Sequence, residues 1–170
     1  MDAIPEFTRD LLVSLHPRHA SNILSGEKTV ELRRRFPEQH MRGALALIYS
    51  TTPVQAIVGV ARIKHVLKLP VSSIWKEYGA AACVSKAEVE AYFSGLREGY
   101  VILLKEARPL KRQLTMEGLY SRFGIVPPQS YRYVTGGCIA LLSDERVQAP
   151  DRHERGHWAR RRPTRSGTAR

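Results

Sequence analysis

Four charged residues in the first quarter of the chain have types and a spacing that could do chemistry. Lys28, Glu31, Arg33 and Arg35 follow shortly after Gly26. An ammonium group can hold a phosphate or act as a base, and a guanidinium group has a planar fork that matches phosphate or a base edge. A carboxylate can accept from an exocyclic amine or act as a general base. The structural alternative is a ladder of exposed ion pairs, each of which contributes about 0–1 kcal/mol.

The pattern around these residues predicts a helix end, a turn and a short strand. Gly26 can adopt the left-handed conformation that ends a helix. Apolar and polar residues then alternate over residues 29–33, which is typical of a strand whose successive side chains point to opposite faces. We therefore expect Glu31 and Arg33 to share one polar, open face, with Lys28 at the mouth of the strand.

A second group of candidate binding residues lies in a proline-containing segment. The prolines at 127–128 exclude a helix and predict an extended chain, in which Gln129, Tyr131 and Tyr133 lie on one side. Aromatic rings near basic side chains can stack on nucleobases, although packing of these rings on the fold is the alternative. Ser130 could be a nucleophile or a phosphate ligand, but no histidine or acid stands at a telling spacing from it.

Two more candidates, Tyr49 and Ser50, end a predicted strand near the expected site. They could contact a ligand, and strand-end packing is an equal alternative. The histidines are scattered, and Cys83 and Cys138 match no zinc or redox spacing, so the sequence predicts neither a metal site nor a cofactor. The cysteines are expected to be reduced thiols in or near the core.

The net charge of the 170-residue chain is +11, and the excess is not confined to one end. Residues 151–170 carry +5, residues 1–10 carry −2 and residues 11–150 carry +8. A body this basic is a candidate for polyanion binding, with nucleic acid the commonest polyanion, whereas many basic domains have no such partner. No apolar run approaches the roughly 18 residues of a membrane span, and no signal peptide is present. We expect a cytoplasmic, intracellular protein without membrane contact.

The order of predicted elements favours one α+β domain over residues 11–145. About six short strands with inserted helices, and no regular strand–helix alternation, predict a small mixed β-barrel whose ends are covered by helices. The last predicted elements are a helix over residues 114–123 and a strand over residues 138–142. An N-terminal extension (residues 1–10) precedes the domain. A basic tail (residues 146–170) follows it, and we expect this tail to be disordered because it is almost free of apolar residues.

Three local predictions concern the middle of the chain. Gly59, inside a long β-rich run, indicates a bulge or a sharp bend. Ser85 and Glu88 have the spacing of a capping box and start a helix, which we expect to bury Tyr92. Trp75 is expected in the core or as a plug of the barrel, rather than as a residue that stacks on a ligand.

Taken in order, these motifs resemble those of ASCH domains, in the PUA-like superfamily. The recurring signature of that family, Gly-x-Lys-x-x-Glu-x-Arg, reads Gly26, Lys28, Glu31, Arg33 in this chain. The flanking strands resemble the family over residues 11–135. The resemblance implies a PUA-like β-barrel with inserted helices, and a cleft between barrel and helices that the signature residues line.

The resemblance also implies function. ASCH domains are mainly RNA-binding modules, and a few are enzymes, either ribonucleases or a small amidohydrolase that deacylates acetylated cytidine. The catalytic loop lysine of that amidohydrolase matches Lys28, but its threonine is replaced by Glu31, which disfavours the same mechanism. We therefore predict an RNA-binding domain. Basic, polar and aromatic residues are its predicted contacts: Lys28, Glu31, Arg33, Arg35, Tyr49, Ser50, Gln129, Ser130, Tyr131 and Tyr133.

Within this prediction, arginine and lysine side chains hold phosphate, Glu31 reads a base edge, and Tyr131 or Tyr133 stacks. The first alternative is a hydrolase of RNA or of a modified nucleoside, with Lys28 and Glu31 as its catalytic groups. The second is a regulatory module that binds a protein or a small ligand. RNA is the expected partner. A nucleotide, a nucleoside or DNA are the other candidates, and the sequence leaves the oligomeric state open.

Overall fold

The computed structural model describes residues 9–134, which form a mixed six-stranded sheet curved into a half-barrel, with four helices. The elements are β1 (Leu11–Leu15), α1 (Pro17–Ser25), β2 (Val30–Arg33), β3 (Leu45–Ser50), β4 (Ala56–Pro70), α2 (Val71–Tyr78), α3 (Lys86–Tyr92), β5 (Glu98–Thr115), α4 (Met116–Phe123) and β6 (Tyr131–Tyr133). The sheet order is β2-β5-β4-β3-β1-β6. β1 and β3 are parallel, and all other neighbours in the described sheet are antiparallel.

The long pair of β4 and β5 bends through several shifts in register. One shift lies between Ile57 and Gly59, so the predicted irregularity at Gly59 is confirmed. A Cβ atom on Gly59 would stand 2.3 Å from Leu24 Cδ2 and 2.6 Å from the carbonyl oxygen of Arg108. Glycine therefore lets α1 pack closely against the bent strand.

Within residues 9–134 the core consists of three clusters, each covered by different helices. Ala20 and Ile23 of α1 pack on the sheet in the first cluster, and Leu119 of α4 belongs to the second. The third contains Ile74 of α2 and Phe93 at the end of α3, packed against β2. This third cluster fixes the two inserted helices beside the strand that carries the signature.

The helix that leads into β2 has the predicted ends. Pro17 occupies the first turn of α1, where its missing N–H costs no hydrogen bond. Gly26 ends the helix in the left-handed region with φ of +84°, and its N–H donates to the carbonyl of Ile23. The backbone N–H of Lys28 then donates to the carbonyl of Asn22, which directs the chain into β2.

The predicted capping box of α3 is also confirmed. Ser85 Oγ accepts from the N–H of Glu88 at 3.2 Å, and the Glu88 carboxylate accepts from the N–H of Ser85 at 2.7 Å. The predicted helix over residues 114–123 begins two residues late, at Met116. The reason is that Thr115 caps it, with its hydroxyl accepting from the N–H of Gly118 at 3.1 Å.

Two core predictions in this region are wrong. Tyr92 and Trp75 are both 41% exposed. In α3 the inward positions are taken by Val89 and Phe93, which are four residues apart, so Tyr92 points to the side. In α2 the inward position belongs to Ile74, and the next residue along a helix points about 100° away.

Other predictions lie outside the described residues. The strand expected over residues 138–142 and the tail over residues 146–170 belong to this group, as does most of the N-terminal extension. The domain boundaries therefore stay predictions. Within residues 9–134, none of the helices combines the length and the apolar character that crossing a bilayer requires.

Candidate functional site

The three charged signature residues form a chain of buried ion pairs. Lys28 Nζ lies 3.2 Å from Glu31 Oε2, and Arg33 Nε lies 3.1 Å from Glu31 Oε1. The side chains are 1%, 11% and 8% exposed for Lys28, Glu31 and Arg33, respectively. The expected open polar face of β2 is thus a covered one, and the carboxylate serves two cations at once.

Each end of this chain is tied to another element. Lys28 Nζ donates to the carbonyl of Ala82, in the loop between α2 and α3, at 2.6 Å. Arg33 Nη2 donates to the carbonyl of Ser14 in β1 at 2.8 Å, and its Nη1 donates to Ser130 Oγ at 3.1 Å. The ion chain therefore spans from the inserted helices to the far side of the sheet.

The Arg33 guanidinium does not use all of its hydrogen-bond donors on the described residues. Its Nε is buried and has no hydrogen-bond partner within residues 9–134, because the N–H does not point at the nearby Glu31 oxygen. The segment that carries Ser130 is itself hydrogen-bonded to Ser14. The N–H of Ser14 donates to the Ser130 carbonyl at 2.9 Å, and Ser14 Oγ donates to the Pro128 carbonyl at 2.6 Å.

A cleft of about 1090 Å³ opens over this ion chain. We call it the signature cleft. Its walls are the β1–α1 junction (residues 14–19), β2 with the residues that follow it (31–35), one face of α3 with its flanks, and residues 129–131. Among the described residues, five cations and two carboxylates line it, and these sum to a formal charge of +3 with neutral histidines. Such a cleft attracts anions.

The signature cleft contains most of the predicted contacts. Arg35, Gln129, Ser130 and Tyr131 line it together with the three charged signature residues. The Tyr131 ring packs against Phe36, with ring centroids 5.1 Å apart and an interplanar angle of 58°. The residues from the signature and from the proline-containing segment, about a hundred positions apart in sequence, are therefore neighbours in space.

Three predicted contacts lie elsewhere. Tyr49 and Ser50 are buried at the end of β3, where Tyr49 belongs to the core cluster beneath α4. Burial raises the pKa of the Tyr49 hydroxyl. Tyr133 is exposed outside the cleft, and the Arg9 guanidinium lies 5.1 Å from its ring centroid.

His19 is a cleft residue that the sequence reasoning missed. Its Nδ1 is buried without a partner among the described residues, and its Nε2 lies 3.4 Å from Arg18 Nη2. Burial, followed by the charge of Lys28, lowers the pKa of His19, so the imidazole is neutral at neutral pH. His16 also lines the cleft, three residues earlier. His16 immediately precedes α1, and its spacing of three from His19 across the helix start was the available signal.

An ion pair also joins the two helices that border the cleft. Arg18 of α1 and Glu88 of α3 approach to 2.5 Å. The backbone N–H of Ser85 and the Arg18 guanidinium lower the pKa of Glu88 to about 2. Within residues 9–134, no group of three or more His, Cys, Asp or Glu side chains is placed to hold a metal ion.

A comparison with protein families matches residues 13–115 to the ASCH domain. An ASCH domain-containing ribonuclease from Zymomonas mobilis is 33% identical over 135 residues, which cover 79% of this chain and 89% of that protein. Large ribosomal subunit protein uL22 from Ureaplasma parvum is 28% identical over 103 residues, covering 60% of this chain and 32% of that protein.

The fold has a solved counterpart. The crystal structure of the ASCH protein from Zymomonas mobilis superposes with a TM-score of 0.75 at 31% identity, and the match covers 80% of this chain and 94% of that chain. The predicted PUA-like mixed barrel with inserted helices is therefore confirmed.

Proposed function

Because this chain belongs to the ASCH domain family, we propose that it binds RNA in the signature cleft. The observation that carries the proposal is the excess of positive charge around a cleft large enough for nucleotides, over a floor of interlocked ion pairs. The relative from Zymomonas mobilis, whose name is that of a ribonuclease, supports RNA as the polyanion. The net charge of +11 favours the same class of ligand.

The cations of the cleft divide into two groups. Lys28 and Arg33 are buried and share Glu31, so their charge is largely balanced inside the fold. Arg34 and Arg35 are exposed at the rim, and Arg35 has no ion pair or hydrogen bond among the described residues. We assign the direct phosphate contact to Arg35.

The buried signature residues have a positioning role in this proposal. Lys28 donates to the Ala82 carbonyl and pairs with Glu31, which fixes the Glu31 carboxylate beside Arg33. Arg33 holds the Ser130 hydroxyl in place, and Tyr131 stands beside it on the same wall. Ser130, Gln129 and Tyr131 are the groups that face a nucleotide from this side.

The test measures binding of a labelled single-stranded RNA by fluorescence anisotropy at several salt concentrations. Arg35→Gln is expected to weaken binding and to lower the slope of log K against log salt by about 0.7, the value for one contact to a single strand. Lys64→Gln is the matched control, because Lys64 is exposed on β4 and does not line the cleft. Equal effects of the two substitutions would place binding outside the cleft, and the absence of RNA binding by the wild type would refute the proposal.

A second candidate function is cleavage of the bound RNA, which the relative's name favours. Both oxygens of Glu31 lie beside cations, whereas His19 is neutral. We assign the proton transfer to His19 rather than to Lys28 and Glu31. In the proposed step the imidazole takes the 2′-hydroxyl proton, the 2′-oxygen bonds to phosphorus, and the bond from phosphorus to the 5′-oxygen breaks. The released 5′-oxygen takes a proton from water, the imidazolium returns its proton to the solvent, and a 2′,3′-cyclic phosphate is left.

Cleavage is tested on a gel with the same RNA. His19→Gln is expected to abolish shortened products while RNA affinity stays within about twofold, because the loss falls on turnover rather than on binding. A wild type that binds RNA without shortening it would refute cleavage and leave the binding proposal intact.

A further inference from the structure

The wall of the signature cleft formed by α3 and its flanks is partly apolar, so this part of it offers no contact for a phosphate group. This wall includes the apolar and aromatic side chains of Val89, Tyr92 and Leu96, whereas the neighbouring wall carries arginines. Tyr92 is 41% exposed, and Leu96 is exposed as well, although both are large apolar side chains. Large apolar groups that stay exposed inside a cleft mark a surface suited to an apolar part of a ligand.

The backbone at Tyr92 is fixed by hydrogen bonds, and the Tyr92 ring has an aromatic neighbour. Arg34 Nη1 donates to the Tyr92 carbonyl at 2.6 Å and to the Ser94 carbonyl at 3.1 Å, which ties the end of α3 to the residues after β2. The ring meets Phe93 edge-on, with centroids 4.9 Å apart and an interplanar angle of 75°. A side chain with a fixed backbone and a packing partner has less conformational entropy to lose when a ligand packs on it.

We infer that this wall is a subsite for an unpaired nucleobase, which stacks on Tyr92 while Arg35 holds a phosphate of the same strand. The inference rests on the proposed function and adds a substrate class, single-stranded RNA. In a duplex each base face is covered by its neighbours, so a ring inside a cleft can be reached only by a base that is unpaired or flipped out. Both groups line the same cleft, which gives one strand a cation and an aromatic face together.

The experiment compares a short oligouridine with the same strand annealed to oligoadenine, using the full-length protein and fluorescence anisotropy. Tyr92→Leu removes the aromatic face and keeps an apolar side chain, and Tyr92→Phe restores the ring. Tyr120→Leu is the matched control, because Tyr120 is 63% exposed on α4 and does not line the signature cleft. Circular dichroism and thermal melting verify that each variant is folded.

We expect Tyr92→Leu to weaken binding of the single strand about tenfold, and Tyr92→Phe and Tyr120→Leu to change it by less than about twofold. The duplex is expected to bind more weakly than the single strand and to be insensitive to Tyr92→Leu. A 2-aminopurine placed in the single strand should lose fluorescence on binding the wild type and keep it on binding Tyr92→Leu, a signal that a purely structural role of Tyr92 would not produce.

Two results would overturn the subsite while leaving the proposed function in place. One is a Tyr92→Leu variant that binds the single strand as tightly as the wild type, while Arg35→Gln binds it weakly. The other is equal affinity for single strand and duplex. Absence of RNA binding by the wild type would refute the proposed function and the subsite together.

Discussion

Replacing Glu31 by glutamine should destabilise the fold strongly, because this carboxylate lies between two buried cations and pairs with both. Lys28 Nζ and Arg33 Nε stand 3.2 Å and 3.1 Å from its two oxygens, and both cationic side chains are less than a tenth exposed. In the wild type the three groups sum to one positive charge. Glu31→Gln raises this to two positive charges in the same buried volume and places an amide N–H₂ beside a donor.

The magnitude follows from this charge balance. Removing one partner of a buried ion pair costs about 3–5 kcal/mol, and we expect Glu31→Gln to fall in that range. Lys28→Met should cost less, about 1–3 kcal/mol, because Glu31 keeps Arg33 and the main loss is the partner of the Ala82 carbonyl. The double variant should be more stable than the sum of both losses by about 0.5–3 kcal/mol, since it relieves the repulsion between two buried cations.

Urea unfolding measures these free energies from the transition midpoint and slope. Glu90→Gln is the control, because Glu90 and Lys86 form an exposed pair 3.8 Å apart, and its loss should cost no more than about 0.5 kcal/mol. The reasoning would be refuted if Glu31→Gln cost as little as the control, or if Lys28→Met cost more than Glu31→Gln.

Two further predictions concern packing and pH. Gly59→Ala should cost about 1–3 kcal/mol and lower the melting temperature by several degrees, because the new Cβ would lie 2.6 Å from a backbone oxygen that cannot rotate away; an unchanged melting temperature would contradict the close packing. Because the folded-state pKa of His19 lies below 6.5, the unfolded chain binds the proton more readily, and His19 stabilises the fold less as the pH falls through 6.5 towards that lowered value. Urea unfolding at about pH 7 and about pH 5.5 should therefore show a smaller loss of stability for His19→Gln than for the wild type, and equal losses would contradict the assigned environment.

Local sequence rules correctly predicted those features that depend on backbone conformation or on hydrogen bonds between residues close in the chain. The turn at Gly26, the capping box of Ser85 and Glu88, and the bulge at Gly59 depend on backbone conformation and on contacts a few residues apart. The same rules misplaced Tyr92. A helix of two turns has few inward positions, and which residues occupy them depends on the direction from which the sheet is packed.

In the signature cleft, too, some features follow from local sequence and others only from the tertiary structure. The sequence by itself determined that Lys28, Glu31 and Arg33 lie close together, because a turn and a four-residue strand leave them little choice. Only the tertiary structure decided that the three are buried, since burial requires the loop at Ala82 and the segment at Ser130 to cover them. Arg33 and Ser130 are 97 positions apart, and no local pattern encodes a contact over that separation.

The tertiary structure likewise sorted the aromatic candidates. Tyr131 and Tyr133 are two residues apart and are predicted on the same face of a strand. Of these two, Tyr131 lines the signature cleft and Tyr133 does not. The reason is that β6 pairs with β1 at the edge of the sheet and passes the cleft at one end. Periodicity specifies which face of a strand a residue occupies, whereas its distance from a site depends on strand register. Register is fixed by pairing with residues far away in the chain. No local sequence pattern specifies that pairing, so it is known only from the folded structure.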